Sequence, residues 1–292
     1  MRKTQSLKSF LQCYAALSTL FSLYSRIMVQ ALQKLNTQYT IILGAEGELG
    51  RAMAREIARR GCNLILVSTS SCDLLRFAIG LQLNDEVQVE AVKLDLSDKD
   101  AIQEFIGMIN TEYEIRALIN NITCDWSMDW NKCIPEFSRE SFLKRFQGAA
   151  LITWGLLPHM VKLSSSYIQH IIPFPFGKEE FNADMEQSVG KMAAFARELD
   201  RELKHSTVSV SLMHPAPIKN LMQDLELING YTQRDQVIAP GLIARKAVNG
   251  MLRGDRLIIP GFRNRVRYFM RRQIFWLRSA HPSLGSSLQP SV

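Results

Sequence analysis

Three glycines spaced by threes, Gly44, Gly47 and Gly50 in GAEGELG, lie between the apolar run YTIIL and a stretch of helical periodicity that starts at Glu48. Such a turn can cradle a phosphate, because glycines let backbone N–H groups approach an anion at the positive end of a helix. Glu48 works against this, since a carboxylate at the helix start repels a phosphate. After the next apolar run, VSTSS offers Ser68, Thr69 and Ser70. It has no acid to grip a ribose 2′-hydroxyl and no arginine to hold a 2′-phosphate, so the two sugars are not distinguished there. The cysteines (Cys13, Cys62, Cys72, Cys124, Cys133) are odd in number and scattered, with no CxxC spacing and no clustered histidine. That pattern argues against a zinc site and for thiols as core filler in a reducing compartment.

The elements that must position these groups alternate in type. YTIIL is followed by a helix from about Glu48 to Arg60, the strands NLILV and VQVEAVKL, a helix from about Asp98 to Asn110, and the strand RALIN. A long helix from about Ser138 to Lys162, the strand YIQHII, a helix from about Met185 to Lys204, the strand VSVSLM and a last pair near Ala244 to Ile259 complete the series. Strands alternating with helices predict an α/β fold with one doubly wound, Rossmann-type parallel sheet, of seven strands. In such sheets ligands bind beyond the carboxyl ends of the strands, where the strand order reverses.

The 292 residues suit one such domain, expected over residues 37–261, with an N-terminal segment at 1–36 and a C-terminal tail at 262–292. The formal +7 consists of five cations and no acid in the first segment, six arginines and no acid in the last, and a net of four negative charges between them. Nucleic acid is excluded as a partner, because the positive charge is not on a folded face. A membrane surface fits better. Phe10 to Tyr24 is an apolar run flanked by Lys8 and Arg26, short for a spanning helix. It reads as a signal anchor or interfacial helix, as a mitochondrial presequence, or as an amphipathic helix packed on the domain. In the tail, FRNRVRYFMRRQIFWLR interleaves arginine with aromatic residues, which suits either a membrane interface or a terminal helix covering the domain.

Several segments in order, LGAEGELGRAMAREIARRG, NLILVSTSSCDLL, VKLDLSD, ALINNIT, GLLPHM, the pair Gly190–Lys191, VSVSLMHPAPIKNLM and LIIPGFRNR, resemble the short-chain dehydrogenase/reductase family. The membrane-associated 17β-hydroxysteroid dehydrogenases and very-long-chain 3-oxoacyl-CoA reductases are the nearest branch. The resemblance implies an NAD or NADP site lined by Gly44, Gly47, Gly50, Asp95 beside the adenine and Asn120 at the nicotinamide end. Pro215 and Asn220 would close over the nicotinamide, and Lys191 would hold its ribose. It also implies a lipophilic small-molecule ligand, a homodimer, and an intracellular membrane, the endoplasmic reticulum first and the mitochondrion second.

The family's chemistry uses a Tyr as proton donor, a Lys four residues later, a Ser that hydrogen-bonds the substrate oxygen and an Asn in a proton relay. Counting back from Lys191, the Tyr position holds Gln187, whose amide has no titratable proton near neutral pH. The Ser position falls near Ile172 or Phe174, the relay position is Gln147, and Thr123 replaces the glycine after the Asn pair. The resemblance therefore implies a catalytically impaired, membrane-associated binding or regulatory protein. One alternative is an active oxidoreductase on a steroid, fatty-acyl or other lipophilic carbonyl that uses water or His214 with Lys191 in place of the Tyr; the other, favoured by Glu48 and the missing ribose-recognition residue, is a structural or assembly protein that has lost the nucleotide site as well. Ser164, Ser165, Ser166, Tyr167, His159 and His170 are expected to be structural. Ser188 is turned away from the Lys191 face, and Trp126, Met128 and Trp130 follow the fourth strand, where a substrate entrance would form.

Overall fold

A computed structural model describes residues 38–69, 72–122, 139–172, 183–215 and 238–270. The expectations for residues 1–36, Thr123, Trp126, Met128, Trp130, Phe174, Asn220 and the tail beyond 270 lie outside the described residues, as do those for the side chains of Gln187 and Ser188. The order is β1 (Gln38–Leu43), α1 (Glu48–Ala58), β2 (Asn63–Ser68), α2 (Cys72–Asp85), β3 (Val89–Lys93), α3 (Lys99–Glu112), β4 (Glu114–Asn120), α4 (Arg139–Met160), β5 (Ser166–Ile171), α5 (Ala183–Glu202), β6 (Val208–Met213), α6 (Pro240–Leu252) and β7 (Leu257–Ile258). A last helix, α7, spans residues 262–270.

All seven strands run parallel in the order β3-β2-β1-β4-β5-β6-β7. Parallel strands need helical crossovers, which cover both faces and leave the central strands apolar throughout. β2 is accordingly buried along its whole length, whereas in the edge strand β3 only Val89 is buried and the strand ends on exposed Lys93. On one face Ile41, Leu43, Ile65, Leu118 and Ile168 pack under α3, α4 and α5. On the other, Ile42, Leu64, Leu66, Ile119 and Met213 pack under α1, α2 and α6. Local signals start the helices: Asp98 caps α3 by accepting from the N–H groups of Asp100 and Ala101, and Pro240 opens α6.

One helix was not legible. No helix is expected between NLILV and VQVEAVKL, yet α2 fills that space. Leu74, Ala78 and Leu81 point into the core, while Leu75, Ile79 and Leu83 are 56%, 47% and 77% exposed. With apolar residues on both faces, the 3.6-residue period is erased.

Helix α4 packs closely on the loop between β3 and α3 at Gly148, where a Cβ would stand 2.0 Å from the carbonyl oxygen of Leu96. In α3, a Cβ on Gly107 meets nothing within 4 Å. Gly148→Ala is therefore expected to lower stability by about 1–3 kcal/mol through overpacking. Gly107→Ala should raise it by about 0.5–1 kcal/mol by removing backbone freedom from the unfolded chain. Urea denaturation of both variants reads the difference, and equal effects would contradict this packing.

Candidate nucleotide site at the strand ends

The chain fills the sheet outward from β1 to β3, then returns to place β4 on the other side of β1. The crevice between the carboxyl ends of β1 and β4 is thus the point where strand order reverses. Gly44 follows β1 there with φ +70°, and a Cβ on it would lie 1.8 Å from the carbonyl oxygen of Asn121. Only glycine meets both demands. Asn121 completes the junction: its backbone N–H donates to the Leu43 oxygen at 3.1 Å and its Nδ2 to the Gly44 oxygen at 2.9 Å. Gly50 lets the first turn of α1 come close, since a Cβ there would be 2.3 Å from the Gly44 oxygen.

Gly47 is the N-cap of α1 and, having no side chain, supplies no capping bond. The start of α1 therefore presents backbone N–H groups and the positive end of the helix dipole beside the crevice, an arrangement that fits a pyrophosphate. Glu48 stands in the first turn and Glu46 is exposed in the loop. Arg51 supplies the opposite charge. Its Nε donates to the backbone carbonyl oxygen of Glu46 at 2.9 Å, and its guanidinium lies 5.2 Å from the centre of the Phe77 ring, which Arg55 also covers at 5.0 Å. Asp95, beyond the end of β3, accepts from the N–H of Ser97 at 2.9 Å and from its hydroxyl at 2.8 Å. These bonds, the backbone one first, hold its carboxyl below the usual range.

Asn120 ends β4 with its side chain inside the protein, 2% exposed. Its Nδ2 donates to Thr153 Oγ1 on α4 and to His170 Nδ1 on β5, both at 3.1 Å. Thr153 passes its own proton to the Ala149 oxygen at 2.7 Å. His170 Nδ1 is thus an acceptor and the ring's proton lies on Nε2. Among the described residues, Asn120 Oδ1 and His170 Nε2 are buried without a hydrogen-bond partner. The His170 ring stands edge-on to Phe195 of α5, with centroids 5.5 Å apart. At the end of β6, His214 Nδ1 donates to the Ile172 oxygen at 2.8 Å, and the ring packs 5.2 Å from Tyr268 of α7.

The structure brings Gly44, Gly47, Gly50, Asn120, Ile172 and Pro215 to the carboxyl edge of the sheet. Ile172 is fully buried and its backbone is held by His214. Lys191 lies within α5, one helical turn after residue 187, and is exposed. Gln147 is also exposed, on α4. Asn121 and Thr153 are not among the residues expected here, Tyr268 is expected only as one aromatic of the tail, and His170, expected to be structural, is part of a buried cluster. Two adjacent asparagines at the end of a buried strand were the available signal, because amides there need partners.

The short chain dehydrogenase family model matches residues 38–226, and the chain belongs to that family. Among its relatives, a dehydrogenase/reductase SDR family protein 7-like of Drosophila melanogaster is 24% identical over 278 residues, covering 88% of this chain and 85% of the fly protein. The 17-beta-hydroxysteroid dehydrogenase type 6 of Rattus norvegicus is 25% identical over 221 residues, 72% of this chain and 66% of the rat protein. The fold is also that of a short-chain dehydrogenase from Sphingobium yanoikuyae in complex with NADPH: TM-score 0.65, 21% identity, 87% of this chain and 98% of that one.

His170 and His214 are both pulled down from 6.5 to about 4, first by burial. For His214 the bond to Ile172 opposes the shift and Arg197 adds to it. The unfolded rings take up protons below about pH 6.5 while the folded ones do not until about pH 4. Stability is therefore full above about pH 6.5 and falls with acidification toward pH 4, by about 1.4 kcal/mol per pH unit for each ring. Urea midpoints at pH 7, 6 and 5 should decline, and His170→Asn should flatten the decline. An unchanged slope in that variant would contradict the burial of a neutral ring.

Proposed function

We propose that this chain is a hydroxysteroid-dehydrogenase-like reductase that keeps the nucleotide-binding frame of its family and lacks its proton donor. It acts as a binding or regulatory protein at an intracellular membrane, the endoplasmic reticulum first. Its ligands are NADP(H) or NAD(H) and a lipophilic small molecule. One observation carries this reading: the crevice between β1 and β4 is fully built, with Gly44, Gly50 and Asn121 interlocked, while position 187, one turn before Lys191, holds glutamine.

A nicotinamide cofactor, when bound, supplies a hydride acceptor or donor. Gly44, Gly47 and Gly50 at the start of α1 would hold its pyrophosphate, Asp95 would lie on the adenine side, and Lys191, Pro215 and Asn220 on the nicotinamide side. The chain's own part in reduction would be to hand a proton to the substrate oxygen. Gln187 has none to give, and Ile172 offers no hydroxyl to bind that oxygen. General acid catalysis alone contributes roughly a hundred- to ten-thousand-fold. His214 is a poor substitute: its Nδ1 proton is committed to the Ile172 oxygen and its ring is neutral well below pH 7.

A lipophilic ligand accords with the 17-beta-hydroxysteroid dehydrogenase among the relatives. Among the described residues no helix is long and apolar enough to cross a membrane. Pairing of two copies through α4 and α5 belongs to the same reading. It is supported by Trp154, 48% exposed on α4 and set edge-on to Phe195 of α5 at 6.4 Å.

The test is restoration. With NADPH or NADH and a lipophilic ketone such as a steroid, the native protein should show no turnover above buffer. Gln187→Tyr with Ile172→Ser should gain at least roughly a hundredfold, with thermal melting confirming that the variant folds. Steady turnover by the native protein would overturn the loss of the donor. A folded double variant that binds cofactor and stays silent would overturn the assignment of positions 187 and 172.

A further inference from the structure

The two faces of α7 differ sharply. Inward, Asn264 is 1% exposed and its Nδ2 donates to the Pro260 oxygen at 3.1 Å, while Tyr268 packs on His214. Outward, Phe262, Val266, Phe269 and Met270 are 77%, 41%, 47% and 60% exposed. At ~100° per residue these four fall within about 100° of arc. Arg265 borders that arc on one side and Arg263 on the other, both exposed. An apolar strip edged by two cations is the pattern of a helix lying in a bilayer interface, its rings among the acyl chains and its guanidinium groups at the phosphates.

We infer that the outward face of α7 docks on an anionic bilayer, and that through Tyr268 and His214 it holds the carboxyl edge of the sheet at the membrane. This rests on the membrane reading proposed above and names the surface responsible. Charge decides the occupant. The other exposed apolar stripe, Leu75, Ile79 and Leu83 on α2, shares its helix with one cation, Arg76, and with Asp73, Gln82 and Asp85, while Arg51 and Arg55 of α1 lie over Phe77, about 120° or more round the helix from that stripe. It therefore lacks the paired cations that an anionic surface rewards. Through Tyr268 and His214, α7 lies at the β6 side of the sheet.

The full chain is prepared with photoreactive benzoylphenylalanine in place of Phe269 or, as the control, of Leu83. It is irradiated on phosphatidylcholine vesicles with or without about one quarter phosphatidylserine. The surface predicts lipid adducts at 269 that depend on phosphatidylserine and none at 83. Arg263→Glu with Arg265→Glu should cut the adduct roughly tenfold or more while leaving the melting temperature in place. If the protein binds the vesicles but 269 gives no lipid adduct, gives no more than 83, or joins a second copy of the chain, the α7 surface is overturned and the membrane reading stands. If the chain does not bind the vesicles at all, both fall.

Discussion

Asn121 reaches from the end of β4 to the carbonyl oxygen of Gly44 at the end of β1, and the strands meet this closely only because Gly44 has no side chain. The rest of the strand-end architecture follows from that contact. It fixes the register of the two strands on either side of the topological switch, sets Gly44 at φ +70°, and turns the chain so that α1 begins beside the crevice. Gly50 then brings the first turn of α1 down onto the Gly44 oxygen. The glycines thus act first as packing residues, and a site for a phosphate results from that packing.

A second layer of constraint is buried and polar. Asn120, Thr153 and His170 tie β4, β5 and α4 together, and His214 ties β6 to the chain leaving β5. Each imidazole is held neutral by burial. A neutral histidine can be both donor and acceptor inside a protein at modest cost, whereas a charged one there would need a counter-ion. These residues stiffen the edge on which a nucleotide and a ligand would meet. Burial keeps both rings neutral, and the Nδ1 proton of His214 is committed to the Ile172 oxygen, which makes them poor stand-ins for the proton donor absent at position 187.

Much of the fold was legible. Apolar runs such as NLILV and VSVSLM have the length and β-branched content of buried strands, and helices with one apolar face, such as α1 with Leu49, Met53 and Ile57, declare their period. The helix α2 was lost because Leu75, Ile79 and Leu83 put apolar residues on its outer side. At the site, the glycine spacing could be read from type and order, while Lys191 was reached only through the family resemblance. The Asn121–Gly44 bond and the Asn120–Thr153–His170 cluster join residues from 33 to 77 positions apart, so no local pattern encodes them. The tail's mixture of arginine and aromatic residues suits either a membrane helix or a cover for the domain, and α7 places Tyr268 and Asn264 on the domain while Phe262 and Phe269 face outward.

The central claim is that a nucleotide-binding frame persists without its proton donor, and titration of the full-length protein with NADPH and with NADH tests it most directly. Thermal shift and nicotinamide fluorescence are read together, because a ligand that binds only the folded state must raise its melting temperature with concentration. The account predicts saturable binding of at least one of the two, with the nicotinamide left unoxidised in the presence of lipophilic ketones. No shift and no fluorescence change at millimolar cofactor would contradict it, and would leave the interlocked glycines a purely structural role.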